Sequence, residues 1–243
     1  SKMSDEGLDF DSVLKDAQEK GYAERHPEAD VEGYDACRKI AILTSLAFGR
    51  QVDFEDIYTE GITKITDKDI KYAKAMNKSI KLLGTSCKAD GKVYAMVCPM
   101  MIGQNHPLYS VKDVFNAIFV NGNMVDDLMF YGRGAGKLPT ASAVTADVVE
   151  AARNLGNTLP ILWSQDKLEL ASTGEFKHQF FVRMKEETSR EEIEKAFGKV
   201  SYVTLEDVKG EFAFVTPLMK EKEYQQKIKA FETVISMIRM NAK

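Results

Sequence analysis

The sequence is poor in the residues that build disulfide scaffolds and metal centres. It has three cysteines and three histidines among 243 residues. Cys37, Cys87 and Cys98 are far apart and show no paired spacing typical of a zinc site, and the histidines are equally dispersed. We therefore expect no metal centre, and we predict reduced, buried thiols in a cytoplasmic protein.

A long hydrophobic run and a surplus of positive charge are also missing. The longest apolar stretches, such as residues 94–102, are too short to span a bilayer. The chain opens without the basic and apolar segments of a signal peptide. The 33 basic residues are scattered and the formal net charge is −4, which argues against a face for nucleic acid. Neither a membrane nor a nucleic acid is expected as a partner.

The composition that is present, 44% hydrophobic and 29% charged residues, is typical of a folded globular protein. In the first part of the chain, helical and strand-like stretches alternate. Turn residues at 89–91 and 121–123 each separate two extended runs, so two hairpins are predicted. Helices are predicted at Asp11–Lys20, Glu32–Phe48, Thr66–Met76 and Thr140–Asn154.

The last part of the chain has a different order of elements. From about residue 176 the pattern indicates strand, helix, strand, strand, helix and strand, which is the ferredoxin-like βαββαβ order. We therefore predict an α+β fold in two domains. The first, over residues 1–156, has a mixed or antiparallel sheet with covering helices, and a linker over 157–175 leads to the ferredoxin-like domain over 176–243.

The most informative segment for chemistry runs from residue 21 to residue 39. Asp35 and Lys39 are four positions apart on a predicted helix and so share one face, and Glu24 and Asp30 lie in the loop before it. Carboxylates can hold the ammonium group of a small zwitterionic substrate, while a lysine polarises or protonates a carbonyl oxygen. By spacing alone, such a pair is usually a surface ion pair, and Asp30 could be a helix cap.

The same segment resembles the substrate-site signature of homoserine dehydrogenases. The matching runs are Gly-Tyr-Ala-Glu at 21–24, Asp-Val-Glu-Gly-Tyr-Asp-Ala at 30–36 and Arg-Lys at 38–39, and the stretches 7–11, 54–62 and 130–143 agree with them. The resemblance covers about residues 1–155. It implies that Lys39 transfers a proton, that Gly21 lies beside a nicotinamide cofactor, and that the substrate is bound by Glu24, Asp35, Asp30 and Tyr22.

A glycine-rich segment, Gly132-Arg-Gly-Ala-Gly136, lies between a predicted strand and a predicted helix. Its third glycine departs by one position from the dinucleotide fingerprint, and no strand ending in a ribose-binding acid follows. The family resemblance implies that Gly136 contacts the cofactor. A tight turn that needs glycine explains the same residues without a ligand.

The resemblance also implies an activity, which is the NAD(P)-dependent interconversion of L-aspartate 4-semialdehyde and L-homoserine in threonine, methionine and isoleucine biosynthesis. NAD(P) would be bound mainly by an N-terminal nucleotide-binding domain that these residues do not include, so the chain alone is expected to be inactive. The helix at 140–154 would leave Val144, Val148 and Val149 uncovered, which favours a homodimer or larger homo-oligomer.

The part from about residue 176 resembles an ACT domain, which implies an amino-acid effector such as threonine. The turn at Lys185–Ser189 lacks the Asp-x-Pro-Gly that often shapes the ligand loop, so a dimerisation module without a ligand is the alternative there. For the whole chain, the alternative to an enzyme is a non-catalytic, amino-acid-binding regulatory or assembly protein that has kept the scaffold.

Overall fold

The computed structural model describes residues 10–19, 28–158 and 160–241 and shows an α+β fold, as predicted. The helices are α1 (Phe10–Glu19), α2 (Glu28–Val31), α3 (Tyr34–Phe48), α4 (Asp67–Ala75), α5 (Lys137–Arg153), α6 (Arg190–Phe197) and α7 (Glu221–Ile228). In the part of the chain that the structure describes, no helix is both long enough and apolar enough to cross a membrane.

The strands are β1 (Arg50–Gln51), β2 (Tyr58–Thr59), β3 (Lys78–Ala89), β4 (Lys92–Gly103), β5 (Phe115–Gly122), β6 (Asp126–Arg133), β7 (Ser164–Lys167), β8 (Lys177–Lys185), β9 (Ser201–Val203), β10 (Glu211–Val215), β11 (Met219–Lys220) and β12 (Val234–Met240). Most of them belong to one mixed sheet, which has the order β2-β4-β12-β8-β10-β9, with β3 paired to β4 and β11 paired to β8.

The long hairpin β3–β4 is the centre of the first part of the chain. Its register pairs Ala89 with Lys92, so Asp90 and Gly91 alone form the turn. Both have positive φ, 50° and 75°, which is the backbone of the type I′ turn that favours Asp-Gly. The predicted hairpin at this position is therefore confirmed, and β4 is buried over most of its length.

The second hairpin is predicted in the right place but with the wrong turn. Gly122 pairs with Asp126, so the loop consists of residues 123–125 and not 121–123. Asn121 stays in the ladder, where its side-chain amide donates to Asp127 at 2.7 Å. Strands β5 and β6 form a separate two-stranded sheet, and neither β6 nor α5 contains a buried residue.

The last part of the chain follows the order β8, α6, β9, β10, α7, β12, with the short β11 between β10 and α7. Neighbouring strands in the order β12-β8-β10-β9 are all antiparallel. The helices cover one face through an aromatic cluster in which the rings of Phe180 and Tyr224 stack at 4.1 Å between centroids. Ser189 caps α6 by accepting from the Glu192 amide.

The two parts of the chain share this sheet because β12 pairs in parallel with β4. Residues between the two parts also make contacts with the first part. Strand β7 pairs with β1, and the Trp163 indole donates to the Gln51 side chain at 2.8 Å. The segment expected as a linker over 157–175 therefore contributes a strand to the first part.

Two buried arginines lie across the junction between the two parts. Arg183 of β8 donates to Asp69 of α4 at 2.8 Å and to both carboxylate oxygens of Glu211 in β10 at 2.8 and 2.9 Å. The side chains of Arg183, Asp69 and Glu211 are 3%, 0% and 5% exposed. We call these three residues the Arg183 cluster. A charge this deeply buried requires paired partners, and here one partner comes from each side of the junction.

The Arg239 cluster is the second such group and consists of Arg239, Glu221, Glu60 and Tyr58. The Arg239 guanidinium of β12 donates to Glu221 at 2.9 and 2.5 Å and to Glu60 at 2.6 Å. It also lies over the Tyr58 ring, 5.1 Å from the centroid. Neither arginine was among the residues selected from the sequence.

His178 in β8 is a buried histidine between aromatic rings. Its ring lies 4.8 Å from that of Phe176 and 6.1 Å from that of Phe180, between centroids. Its Nε2 atom has no hydrogen-bond partner among the described residues. Burial lowers the pKa of His178 to about 4, from an ordinary value of 6.5. The histidine is therefore neutral in the folded protein at neutral pH.

We predict that His178 makes the fold sensitive to acid. The unfolded chain binds a proton near pH 6.5 and the folded chain only near pH 4, so stability is full above pH 6.5 and falls between the two values. The loss is about 3 kcal/mol for one group. Urea unfolding at a series of pH values measures it, and His178→Phe removes the titrating ring. Parallel stability curves for the two proteins would contradict the prediction.

Candidate active site

Helix α3 carries the predicted proton-transfer lysine and packs on the sheet through its buried face. Its buried positions are Cys37, Ala41, Thr44 and Ser45. They face a core that includes Val52, Ile57, Ala95 and Val97. Thr44 and Ser45 satisfy their hydroxyl groups on carbonyls one turn back, at 2.6 and 2.9 Å. The polar groups on the buried face are thus paired inside the helix.

The opposite face of α3 carries Asp35 and Lys39. The Lys39 Nζ atom lies 2.7 Å from the Asp35 carboxylate, and the side chains are 64% and 48% exposed respectively. The predicted shared face is therefore confirmed, but the described residues do not enclose the pair. Ile42 and Leu46 continue the same stripe along the helix and are also exposed. Charged and apolar groups together on one open helix face are typical of a surface that another element covers.

The first turn of α3 is held by close backbone contacts. Gly33, which precedes the helix with φ 82°, lies against Val97 and Thr59. The Ile62 amide donates to the Val31 carbonyl at 2.8 Å. A Cβ atom placed on Gly61 would lie 2.3 Å from that carbonyl oxygen, so only glycine fits there. The segment 59–62 is therefore the support on which Asp35 is positioned.

The structure does not bring all the predicted site residues together. Gly21, Tyr22 and Glu24 lie outside the described residues. Asp30 lies in α2, exposed, immediately before the turn into α3. Among the described site residues, Asp35 and Lys39 are in contact with each other.

Gly136 begins α5 with φ 118° and ψ 154°, a conformation that favours glycine. Among the described residues that are not its chain neighbours, only Pro139 has atoms within 4 Å of a Cβ placed on Gly136. The structure thus does not place Gly136 against Asp35 or Lys39. The backbone conformation alone accounts for a glycine here.

A separate polar cavity of about 330 Å³ lies beside β2. Its walls include Asp56, Tyr58, Lys167, Glu169 and Ser172. Lys167 binds Asp56 at 2.7 Å and Asp53 at 3.2 Å. Neither Asp35 nor Lys39 lines this cavity, so it is distinct from the face of α3.

The three cysteines are free thiols in buried or half-buried positions. Cys37 and Cys98 are buried, and Cys87 is half-buried. Burial raises the pKa of Cys98 to about 12, so its thiol is unreactive. Across residues 10–19, 28–158 and 160–241, no group of histidine, cysteine and carboxylate side chains could hold a metal ion.

Comparison with known proteins shows the family to which the chain belongs. A sequence profile described as homoserine dehydrogenase matches residues 1–149, more than half of the chain. The chain belongs to the homoserine dehydrogenase family. The match includes α3 and Gly136 and ends within α5.

Sequence relatives agree with this membership. A homoserine dehydrogenase of Mycobacterium bovis is 45% identical over 191 residues, which are 76% of this chain and 43% of that protein. A homoserine dehydrogenase of Bacillus subtilis is 43% identical over 155 residues, 64% of this chain and 36% of that protein. The chain thus spans less than half the length of these relatives.

Solved structures match almost the whole chain. A homoserine dehydrogenase from Thiobacillus denitrificans superposes with a TM-score of 0.82 at 30% identity, covering 99% of this chain and 60% of that one. The Staphylococcus aureus enzyme at pH 7.5 gives 0.80 at 33% identity, with 100% and 61% covered. The similarity therefore extends beyond residue 149, through the shared sheet and into the last strands.

Proposed function

We propose that this chain is part of an NAD(P)-dependent homoserine dehydrogenase, which interconverts L-aspartate 4-semialdehyde and L-homoserine in threonine, methionine and isoleucine biosynthesis. The observation that carries the proposal is the Asp35–Lys39 pair, held on an open face of α3 inside the segment that matches the family. The comparisons do not favour the alternative of a non-catalytic amino-acid-binding protein.

In the proposed reaction, the side chains of α3 bind and polarise the substrate. In the reducing direction Lys39 donates a hydrogen bond, and then a proton, to the aldehyde oxygen as negative charge develops there. Asp35 and Glu24, together with Asp30 and Tyr22, orient the amino-acid end of the substrate. The 2.7 Å contact with Asp35 also orients the Lys39 ammonium before the substrate arrives.

A nicotinamide cofactor supplies hydride to the aldehyde carbon when it is bound. One solved relative, a hyperthermophilic archaeal homoserine dehydrogenase mutant, is described in complex with NADPH. The residues present fit a flat ring, because Gly136 has no side chain and leaves open space before α5. We propose that Gly136 and Gly21 contact the nicotinamide side and that an N-terminal nucleotide-binding domain binds the rest of the cofactor.

The proposal is tested by activity in two proteins. One is the chain as it stands, and the other is the chain fused behind the N-terminal remainder of the Mycobacterium bovis relative. With NADPH and L-aspartate 4-semialdehyde, we expect turnover from the fused protein and none from the chain alone, because Gly136 offers too few contacts for the cofactor. An inactive but folded fusion, beside an active unaltered relative, would refute the proposed function.

We further propose that residues 1–156 form the catalytic and dimerisation domain and that residues 176–243 form an ACT-type regulatory domain. The βαββαβ order and the antiparallel arrangement β12-β8-β10-β9 support the second part. An amino-acid effector such as threonine is the proposed ligand. Calorimetry with threonine distinguishes this from a module that only dimerises, for which no heat of binding is expected.

Association with a second copy is proposed for the surface of β6 and α5. The valines at 144, 148 and 149 of α5 are exposed, as predicted from the sequence, and Phe130 of β6 is 63% exposed. An apolar surface of this kind is normally covered. We expect light scattering to show a dimer or larger oligomer, and Val148→Asp to shift it towards the monomer. A strict monomer would contradict the prediction.

A further inference from the structure

The Arg239 cluster connects the last strand of the chain with the loop that supports α3. Arg239 is 2% exposed and Glu221 is 8% exposed. Glu221 starts α7, and its two carboxylate oxygens fix the orientation of the guanidinium. Nη1 donates to Glu60, and Nη2 also donates to the Tyr58 hydroxyl at 3.3 Å. In a planar guanidinium held in this bidentate way, the directions of the other donors are fixed.

Glu60 passes this constraint to the beginning of α3. Its carboxylate accepts from Arg239 at 2.6 Å and from the Tyr58 hydroxyl at 3.0 Å. Its own amide donates to Val97 in β4 at 2.8 Å. The next residue is Gly61, which lies directly against Val31 and Glu32. Both the side chain and the backbone of Glu60 are thus fixed one residue before Gly61, which contacts the segment that leads into α3.

We propose that Arg239 is a positioning residue for the Asp35–Lys39 pair and acts through Glu60. The inference rests on the proposed function, since it concerns the same face of α3. Glu60 lies close to Gly33, whose missing side chain would be 3.7 Å from the Glu60 carbonyl oxygen. A shift of the segment 59–61 therefore moves the first turn of α3, on which Asp35 lies, relative to the sheet.

The Arg183 cluster provides a matched comparison within the same sheet. It also holds a buried arginine between two carboxylates, and it also crosses the junction. Its partner in the first part is Asp69 of α4, which does not carry a proposed site residue. A purely structural role predicts similar consequences for the two clusters. A positioning role predicts that only the Arg239 cluster affects the reaction.

Glu60→Gln and Glu211→Gln are the variants that make this comparison. Each removes one carboxylate charge and leaves the arginine paired with another, Glu221 or Asp69. Neither variant leaves a buried arginine without a charged partner, so both are expected to fold. Thermal unfolding of both variants is measured first, to establish that they are destabilised to a similar extent.

In the active fusion, Glu60→Gln is expected to lower kcat roughly 10-fold to 100-fold, since small displacements of a reacting group have effects of this size. Glu211→Gln is expected to leave kcat within about twofold, because its cluster does not support α3. Combining Glu60→Gln with Arg239→Lys should add little to either single change, as expected for residues that act in series. Equal loss of kcat in the Glu60 and Glu211 variants, or an unchanged kcat for Glu60→Gln, would overturn the inference.

Amide hydrogen exchange, measured in the chain without the fused N-terminal part, separates this inference from the proposed function. Glu60→Gln is expected to speed exchange at residues 37–39 of α3 relative to Glu211→Gln, whether or not the protein is a dehydrogenase. If exchange at α3 is faster in Glu60→Gln but the fused protein without substitutions is inactive, the proposed function alone is refuted. Unchanged exchange at α3 would refute the positioning role.

Discussion

Replacing Arg183 with methionine is expected to lower the free energy of unfolding by about 3–5 kcal/mol, which is the usual consequence of removing one partner of a buried ion pair. Asp69 and Glu211 would remain almost fully buried without the guanidinium that now bonds to both. Ser236 and Lys68 also contact these carboxylates, but they cannot replace a cation shared between the two. Much of the loss is the cost of leaving two negative charges buried near each other.

Urea unfolding of the wild type and Arg183→Met measures this loss. The matched control is Lys71→Met, which breaks the ion pair of Lys71 with Asp207 at 2.9 Å. Both side chains of that pair are exposed, so the control is expected to lose much less stability than Arg183→Met. A similar loss of unfolding free energy in the two variants would show that burial does not determine how much the Arg183 cluster contributes to stability.

Replacing Lys39 with methionine is expected to lower kcat of the active fusion by about 100-fold or more, the range typical of removing a general acid or base. The stability should change little, because the Lys39 side chain is 64% exposed and its ion pair is on the surface. A large kinetic effect with a small effect on unfolding is the combination expected of a residue that acts on substrate.

Lys227→Met is the control for that variant. Lys227 forms the same kind of ion pair, with Glu223 one turn earlier on α7 at 2.7 Å. If exposed i,i+4 pairs mattered only for helix stability, the two variants would behave alike. Unchanged kcat in Lys39→Met, or an equal fall in Lys227→Met, would contradict the role proposed for Lys39.

Local signals in the sequence were sufficient for most helices and for one hairpin. The helix predicted from Thr66 is present as α4, with Thr66 as its cap and Asp69 completing a capping box, and Asp90-Gly91 forms the expected turn. These features depend on a few neighbouring residues. The turn of the second hairpin was misplaced because Asn121 and Gly122 are typical turn residues, whereas a side-chain bond to Asp127 keeps them in the ladder.

The pairing of β12 with β4 and the two arginine clusters could not be predicted in the same way. They join residues more than a hundred positions apart, such as Arg239 and Met100, and no local pattern specifies such partners. One signal was present. Arg183 and Arg239 each interrupt an apolar strand, and a buried arginine implies carboxylate partners elsewhere in the chain.

For the candidate site, spacing predicted correctly that Asp35 and Lys39 share a face of α3 and form a pair. It could not predict how exposed the pair is, because exposure depends on which elements cover the helix. The support provided by Glu60 and Gly61 was also missed, since it arises from backbone contacts between segments distant in sequence.

Titration of the fused protein with L-homoserine, followed by backbone amide chemical shifts, tests the central claim most directly. The account predicts saturable shifts that are largest at residues 34–39 of α3 and that are lost in Asp35→Ala. Saturable shifts confined to the polar cavity lined by Asp56, Lys167 and Glu169, with α3 unchanged, would contradict it.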